Sequence, residues 1–182
     1  STKKCAEANI VINSSNDVLI TDSKIYDSAN ISGLYINSES TVTVDKTEIF
    51  NMTETLIVVN ELCKLTLINS HLHHCSTNGI FTNGPNVIYV SNCLITDTQY
   101  PLISLTNTNF TLTKSELKNC EQNGLSINSS QHILIEGNTF ENIKFTAMSI
   151  ADDSHAIIKN SKFIKNGGNS IYICISEAEI FE

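Results

Sequence analysis

One short pattern recurs seven times along this chain: a small polar residue, any residue, a bulky apolar residue, any residue, then usually Asn or Asp. It reads Ser23-Lys24-Ile25-Tyr26-Asp27, Thr47-Glu48-Ile49-Phe50-Asn51, Ser70-His71-Leu72-His73-His74 and Cys93-Leu94-Ile95-Thr96-Asp97. It continues as Ser115-Glu116-Leu117-Lys118-Asn119, Asn138-Thr139-Phe140-Glu141-Asn142 and Ser161-Lys162-Phe163-Ile164-Lys165. The central apolar residues are 24, 23, 23, 22, 23 and 23 apart. So steady a period is the mark of stacked units, each burying its apolar face against the next.

Two further columns keep the period. Ahead of each motif stands an alternating pair: Val18/Ile20, Val42/Val44, Leu65/Leu67, Ile88/Val90, Phe110/Leu112, Ile133/Ile135, Ala156/Ile158. After each stands another: Leu34/Ile36, Leu56/Val58, Ile80/Thr82, Leu102/Ser104, Leu125/Ile127, Met148/Ile150, Ile171/Ile173. A spacing of two buries one face of a strand. Each period is therefore three short strands joined by turns of Asn, Gly, Ser and Asp. The expected architecture is all-β: a right-handed, single-stranded parallel β-helix of about seven coils of ~23 residues, roughly 34 Å long. No segment keeps a 3.6-residue apolar period over three turns, and hairpin sandwiches have no reason for a fixed 23-residue register.

Units such as Asn123-Gly124-Leu125-Ser126-Ile127, followed by Ser130-Gln131-His132-Ile133-Leu134-Ile135-Glu136-Gly137-Asn138-Thr139-Phe140, resemble the repeats of right-handed, pectate-lyase-like parallel β-helices. The resemblance spans nearly the whole chain and is specific for fold rather than function. That family holds polysaccharide enzymes, recognition domains of some F-box proteins and many surface proteins. The resemblance implies that Asp22, Lys46, Asn69, Asn92, Lys114, Gly137 and Asn160 form the tight turn between second and third sheets. Their composition suits a left-handed backbone. It also implies that the strands starting at Leu34, Leu56 and Ile80 form the first sheet, whose outer face carries the reacting groups in the enzymes.

On that face the middle outward residue is expected to be Tyr35, Ile57, Phe81, Ile103, Ser126, Ser149 and Tyr172 in successive coils. This column holds no carboxylate, Lys or His. Glycoside hydrolysis needs two carboxylates. The resembling lyases use Arg as base with calcium held by acidic residues, and all eleven basic residues here are Lys. Asp152-Asp153 is the only adjacent acidic pair; it falls in a turn, with Glu177 the nearest periodic third carboxylate. The chain is read as a non-enzyme without a cofactor. Tyr35, Ile57, Phe81 and Ile103 are the candidate binding surface, exposing roughly several hundred Å² of apolar area, the size at which a patch marks interaction. The outer third sheet (Lys24, Glu48, Glu116, Lys118, Glu141, Lys162) reads as a solvated face.

His71 and His73 face outward together, with Glu48 one period earlier. Two imidazoles and a carboxylate are a weak metal candidate. His74, between Asn51 and Asp97, reads as a hydrogen-bonding bridge in a turn. Of the six Cys, Cys5, Cys75 and Cys120 share a column two or more coils apart, beyond disulfide reach. Six free thiols are expected, packed as small apolar groups. The acceptors Asn13, Asn30, Asn51, Asn109 and Asn128 match N-glycosylation motifs. Yet 22 Asn among 39 Ser and Thr in 182 residues give about five by chance.

Net charge -8 and the absence of Arg argue against nucleic acid. No apolar run approaches the ~18 residues of a membrane span. Residues 1–182 read as one domain, a segment of a longer solenoid without a capping helix, whose open ends could stack on other copies into a filament. The leading functional expectation is a structural or binding module of a surface or filamentous protein, contacting a protein, another copy or carbohydrate. An intracellular recognition scaffold of the F-box type is the alternative, and a polysaccharide enzyme the disfavoured third. A surface or extracellular location is favoured, and a cytoplasmic one if the thiols are free.

Overall fold

The computed structural model describes residues 8–29 and 31–181. The chain winds through three parallel sheets in strict rotation. The first holds eight strands, from Ala8–Asn13 to Ile171–Cys174; the second eight, from Val18–Thr21 to Glu177–Phe181; the third seven, from Lys24–Ser28 to Lys162–Ile164. Every strand pairs only with its counterparts one coil away, always in parallel. This gives seven full coils and the start of an eighth.

The centre of the repeated motif is the inward residue of the third sheet: Ile25, Ile49, Leu72, Ile95, Leu117 and Phe140 are at most 5% exposed. Inward pairs from the other two sheets close the triangle into one core. Its polar edges also follow from the motif. In four of the seven repeats the small polar residue that opens the motif (Ser70, Ser115, Asn138 and Ser161) turns its side chain back into the coil and takes a backbone N–H from the coil before. Thr47 N–H donates to Ser70 Oγ (3.0 Å), Cys93 N–H to Ser115 Oγ (3.1 Å) and Ser115 N–H to Asn138 Oδ1 (2.9 Å). The same device brackets the corner between first and second sheets. There Cys63 N–H donates to Asn86 Oδ1, Thr108 N–H to Ser130 Oγ and Ser130 N–H to Ser154 Oγ. A buried N–H left without an acceptor is costly, so these side chains replace ladder bonds that a turning backbone cannot make.

The turn residues Asp22, Lys46, Asn69, Asn92, Lys114, Gly137 and Asn160 all have φ between 47° and 68°, as their composition suggests. The motif's fifth position does the same: Asp27, Asn51, His74, Asp97, Asn119, Asn142 and Lys165 lie between 51° and 58°.

The first sheet departs from the expected register in two coils. Ile57 and Ile103 point inward and are fully buried, with Val58 and Ser104 outward in their place. Leu34, Ile57, Ile80 and Ile103 are Cα partners in successive strands, so the ladder keeps a spacing of 23 that the assumed Leu56 and Leu102 would break. The cause is the corner before the strand, where a column of Gly33, Leu56, Gly79, Leu102, Gly124 and Ala147 also faces inward and is buried. Two adjacent large side chains, Leu56 with Ile57 and Leu102 with Ile103, are thus buried in two of the coils, and apolar alternation fails there. The glycines are required by close approach: a Cβ on Gly33 would lie 2.7 Å from Leu56 O, and one on Gly79 2.6 Å from Leu102 O.

Replacing Leu72 by Asp places a charge in the apolar ladder and should unfold the middle coils, whereas Ser126→Asp, on the outer face, should shift Tm by no more than a few degrees. Thermal melts followed by circular dichroism compare the two, and equal losses would refute the inside–outside assignment. Ser115→Ala strands the Cys93 N–H and should cost about 1–3 kcal/mol, measurable by urea titration.

Candidate functional site

The outer face of the first sheet is a column of Val11, Tyr35, Val58, Phe81, Ser104, Ser126, Ser149 and Tyr172, each paired with the next. Val11 and Phe81 are 41% and 37% exposed, and Tyr35 and Val58 are half-buried. Tyr35 and Phe81 of the expected surface stand on this face; Ile57 and Ile103 do not. Four apolar residues on four consecutive rungs, about 4.8 Å apart, form a stripe, which then gives way to serines. The stripe bears no acid, base or cation.

A second exposed apolar pair lies at the corner between third and first sheets. Tyr100 and Phe145 are 55% and 49% exposed and sit two coils apart. Beside them runs an open groove floored by Asp97, Asn119, Asn142, Glu121 and Lys144. The floor is tied from coil to coil: Asn119 Nδ2 donates to Asp97 Oδ1 (3.1 Å), Asn142 Nδ2 to Asn119 Oδ1 (2.8 Å), and Lys144 meets Glu121 at 2.6 Å. Nothing in the repeat pattern drew attention to Tyr100 and Phe145; the signal available was two aromatics in turns, 45 residues apart.

The third sheet's outer face is charged and paired, with Lys24–Glu48 at 2.6 Å, Lys118–Glu116 at 2.7 Å and Lys118–Glu141 at 3.4 Å. Its one unusual zone is histidine-rich. Glu48 lies opposite His71, and Phe50 opposite His73. His73 Nε2 is 3.1 Å from Glu48 Oε1, and one donor atom of each of Glu48, His71 and His73 lies within 4.8 Å of the others. It is the one such cluster of potential metal ligands among the described residues. Tyr26, Phe50 and His73 stack at 5.2 and 4.9 Å with planes within 11°. Burial, followed by the neighbouring His73, holds the His71 imidazole below its usual pKa, favouring the neutral ring. Hydrogen bonds from Lys24 and then His73 hold the Glu48 carboxyl below the usual range. His74 does not bridge Asn51 and Asp97 as expected: its Nδ1 turns sideways to 2.6 Å from His73 Nδ1, while Asn51 Nδ2 donates back to Asp27 Oδ1.

Asp152 and Asp153 are left-handed turn residues. Glu177 does not join them; it pairs with His155 in the second sheet, and the next coil offers Ile175 beside Asp153. The five described cysteines are free thiols, with Thr98 standing between Cys75 and Cys120; Cys5 lies outside the described residues. Burial pushes the Cys75 thiol up to about 12 and Cys93 up to about 11, and raises Cys63 and Cys120 as well. Of the sequon asparagines, Asn13, Asn51 and Asn109 are exposed and Asn128 half-buried; Asn30 lies outside the described residues. Among the described residues no helix is long and apolar enough to cross a membrane.

A family profile described as a right handed beta helix region matches residues 8–155 and 55–181. Among solved structures, the periplasmic alginate epimerase AlgG superposes with a TM-score of 0.88 at 13% identity, over 96% of this chain and 46% of its own. The enzymatically active domain of tailspike protein 2 from bacteriophage CBA120 gives 0.60 at 13% identity, over 89% and 33%. The chain therefore spans less than half the length of either structure. At that identity the likeness is one of fold. No curated protein matches it in sequence.

At pH 8, alkylation of the native protein should label Cys174, which is half-buried, well before Cys63, Cys75, Cys93 and Cys120, which should react only after denaturation. Peptide mass mapping reads the order, and labelling of Cys75 at the rate of Cys174 would contradict the buried-thiol assignment.

Proposed function

The chain belongs to the right-handed β-helix family, and on that premise we propose that it is a non-catalytic binding module which holds an extended carbohydrate chain along the outer face of its first sheet. The observation that carries this reading is the stripe of Val11, Tyr35, Val58 and Phe81, exposed apolar surface on four successive rungs. Its aromatic members, Tyr35 and Phe81, stand two coils apart, about 10 Å, so each can lie against the apolar face of a separate sugar ring. The Tyr35 hydroxyl adds a polar handle. Tyr100 and Phe145 repeat the two-coil spacing around the corner, beside a groove of amides and carboxylates suited to hydroxyl groups.

Two further points support the reading. Proteins that share this fold include an alginate epimerase and a tailspike with an enzymatically active domain, so an elongated polymer is a ligand class the fold accommodates. The stripe itself carries no paired carboxylates and no base, which favours holding a chain over cutting it.

The test is a glycan array that includes polyuronides, followed by titration calorimetry on any hit. Wild type should bind at least one polymer, and Tyr35→Ser with Phe81→Ser should weaken it tenfold or more, while Tyr172→Ser, beyond the serines on the same face, should leave it unchanged. Failure to retain any glycan, or concentration-dependent self-association abolished by the double substitution, would overturn the reading in favour of a protein-binding face. Polymer turnover would overturn its non-catalytic part.

A further inference from the structure

The histidine zone on the third sheet lies apart from the apolar stripe and is built in a way that surface charge pairing does not require. We propose that Glu48, His71 and His73 form a zinc-class divalent metal site that ties the second coil to the third and keeps a further coordination position open to solvent.

Four observations carry this. First, the donor set is two imidazoles and one carboxylate, which suits zinc and neighbouring late transition metals rather than calcium or magnesium. Second, the donors lie within reach of one ion, and one pair already stands at coordination spacing. Tetrahedral zinc with bonds of 2.0–2.1 Å needs donor atoms about 3.3 Å apart. Glu48 Oε1 and His73 Nε2 are already 3.1 Å apart, and the His71 donor lies within 4.8 Å of both. Strand pairing sets this arrangement, because Glu48 and His71 are Cα partners and His73 follows His71 on the same face.

Third, His71 Nε2 is buried and has no hydrogen-bond partner, the only described side-chain atom in that condition. A buried polar atom without a partner costs free energy, and a bound cation is one means of satisfying it. Fourth, the outer contacts are those that ligating groups use. His73 is held flat against Phe50, which is stacked on Tyr26. With metal on Nε2, His73 carries its proton on Nδ1, where His74 Nδ1 at 2.6 Å can accept it. The remaining Glu48 oxygen, Oε2, is held by Lys24 Nζ at 2.6 Å, so Oε1 is left to face the metal. A surface groove lined by Asp22, Lys46 and Asn69 reaches Glu48 and His71, giving solvent or a small ligand access to the open position.

The probe is zinc chloride titrated into the full chain after removal of metal with a chelator, followed by calorimetry. One equivalent should bind. His71→Asn and His73→Asn should each weaken it more than tenfold, Glu48→Gln about tenfold, and His132→Asn, exposed just ahead of the second-sheet strand Ile133–Glu136, should leave it unchanged. Cobalt should give the intense visible absorption of a four- or five-coordinate nitrogen–oxygen site. Circular dichroism of the metal-free variants confirms the ladder; should a variant fail to fold, the wild-type stoichiometry and cobalt spectrum decide alone. No saturable one-to-one binding, affinity retained in both folded histidine variants, or a weak octahedral cobalt spectrum would overturn the proposal.

Discussion

Parallel backbone pairing between neighbouring coils governs this molecule. Each strand hydrogen-bonds to its counterparts in the neighbouring coils, so residues far apart in sequence become neighbours in space. A parallel ladder fixes what sits above what. Once the register is set, position k of one coil is placed over position k of the next at about 4.8 Å, and any property of a column becomes a property of a line on the surface. Inward columns become ladders of Ile, Leu, Val and Phe. Turn columns become lines of left-handed Asn and Asp tied by side-chain amides.

The same constraint explains why the surface is organised in stripes. The apolar stripe and the charged third-sheet face arise because a residue type repeats in one column over successive coils, and the histidine zone because His71 and His73 of one rung stand over Glu48 and Phe50 of the rung before. The Glu48, His71 and His73 cluster needs no loop to assemble it: two rungs and the two-residue spacing of a strand are sufficient. Aromatic stacking uses the column in the same way, with Tyr26, Phe50 and His73 one period apart in sequence and about 5 Å apart in space.

Periodicity made most of the fold legible. The motif centres followed from spacing alone and the left-handed turn positions from their composition and the family resemblance, whereas the third-sheet charges were legible as a solvated face but their pairing was not. Ile57 and Ile103 were misread because alternation is a local rule, and a buried corner residue beside the strand, Leu56 or Leu102, mimics its first inward position. Strict constancy of period would have separated them, since the Leu34, Ile57, Ile80, Ile103 spacing is steadier than the one assumed. The Glu48, His71 and His73 grouping was legible as a register relation between Glu48 and His71, but the orphaned His71 Nε2 and the sideways His74 depend on side-chain angles that spacing does not encode. The buried role of the motif's opening Ser, Thr or Asn was equally hidden, because small polar residues serve exposed turns as readily.

The alternating corner column has a consequence for how such a chain can grow. Gly33, Leu56, Gly79, Leu102 and Gly124 place a close backbone approach at one rung and a large side chain at the next. Neighbouring coils in this stretch are therefore not equivalent, although the repeat is one coil long. Excising a single coil would bring two leucines, or two glycines, into succession at the corner, whereas excising two would restore the sequence of contacts. Between Gly33 and Gly124 the structural repeat at this corner is thus a pair of coils.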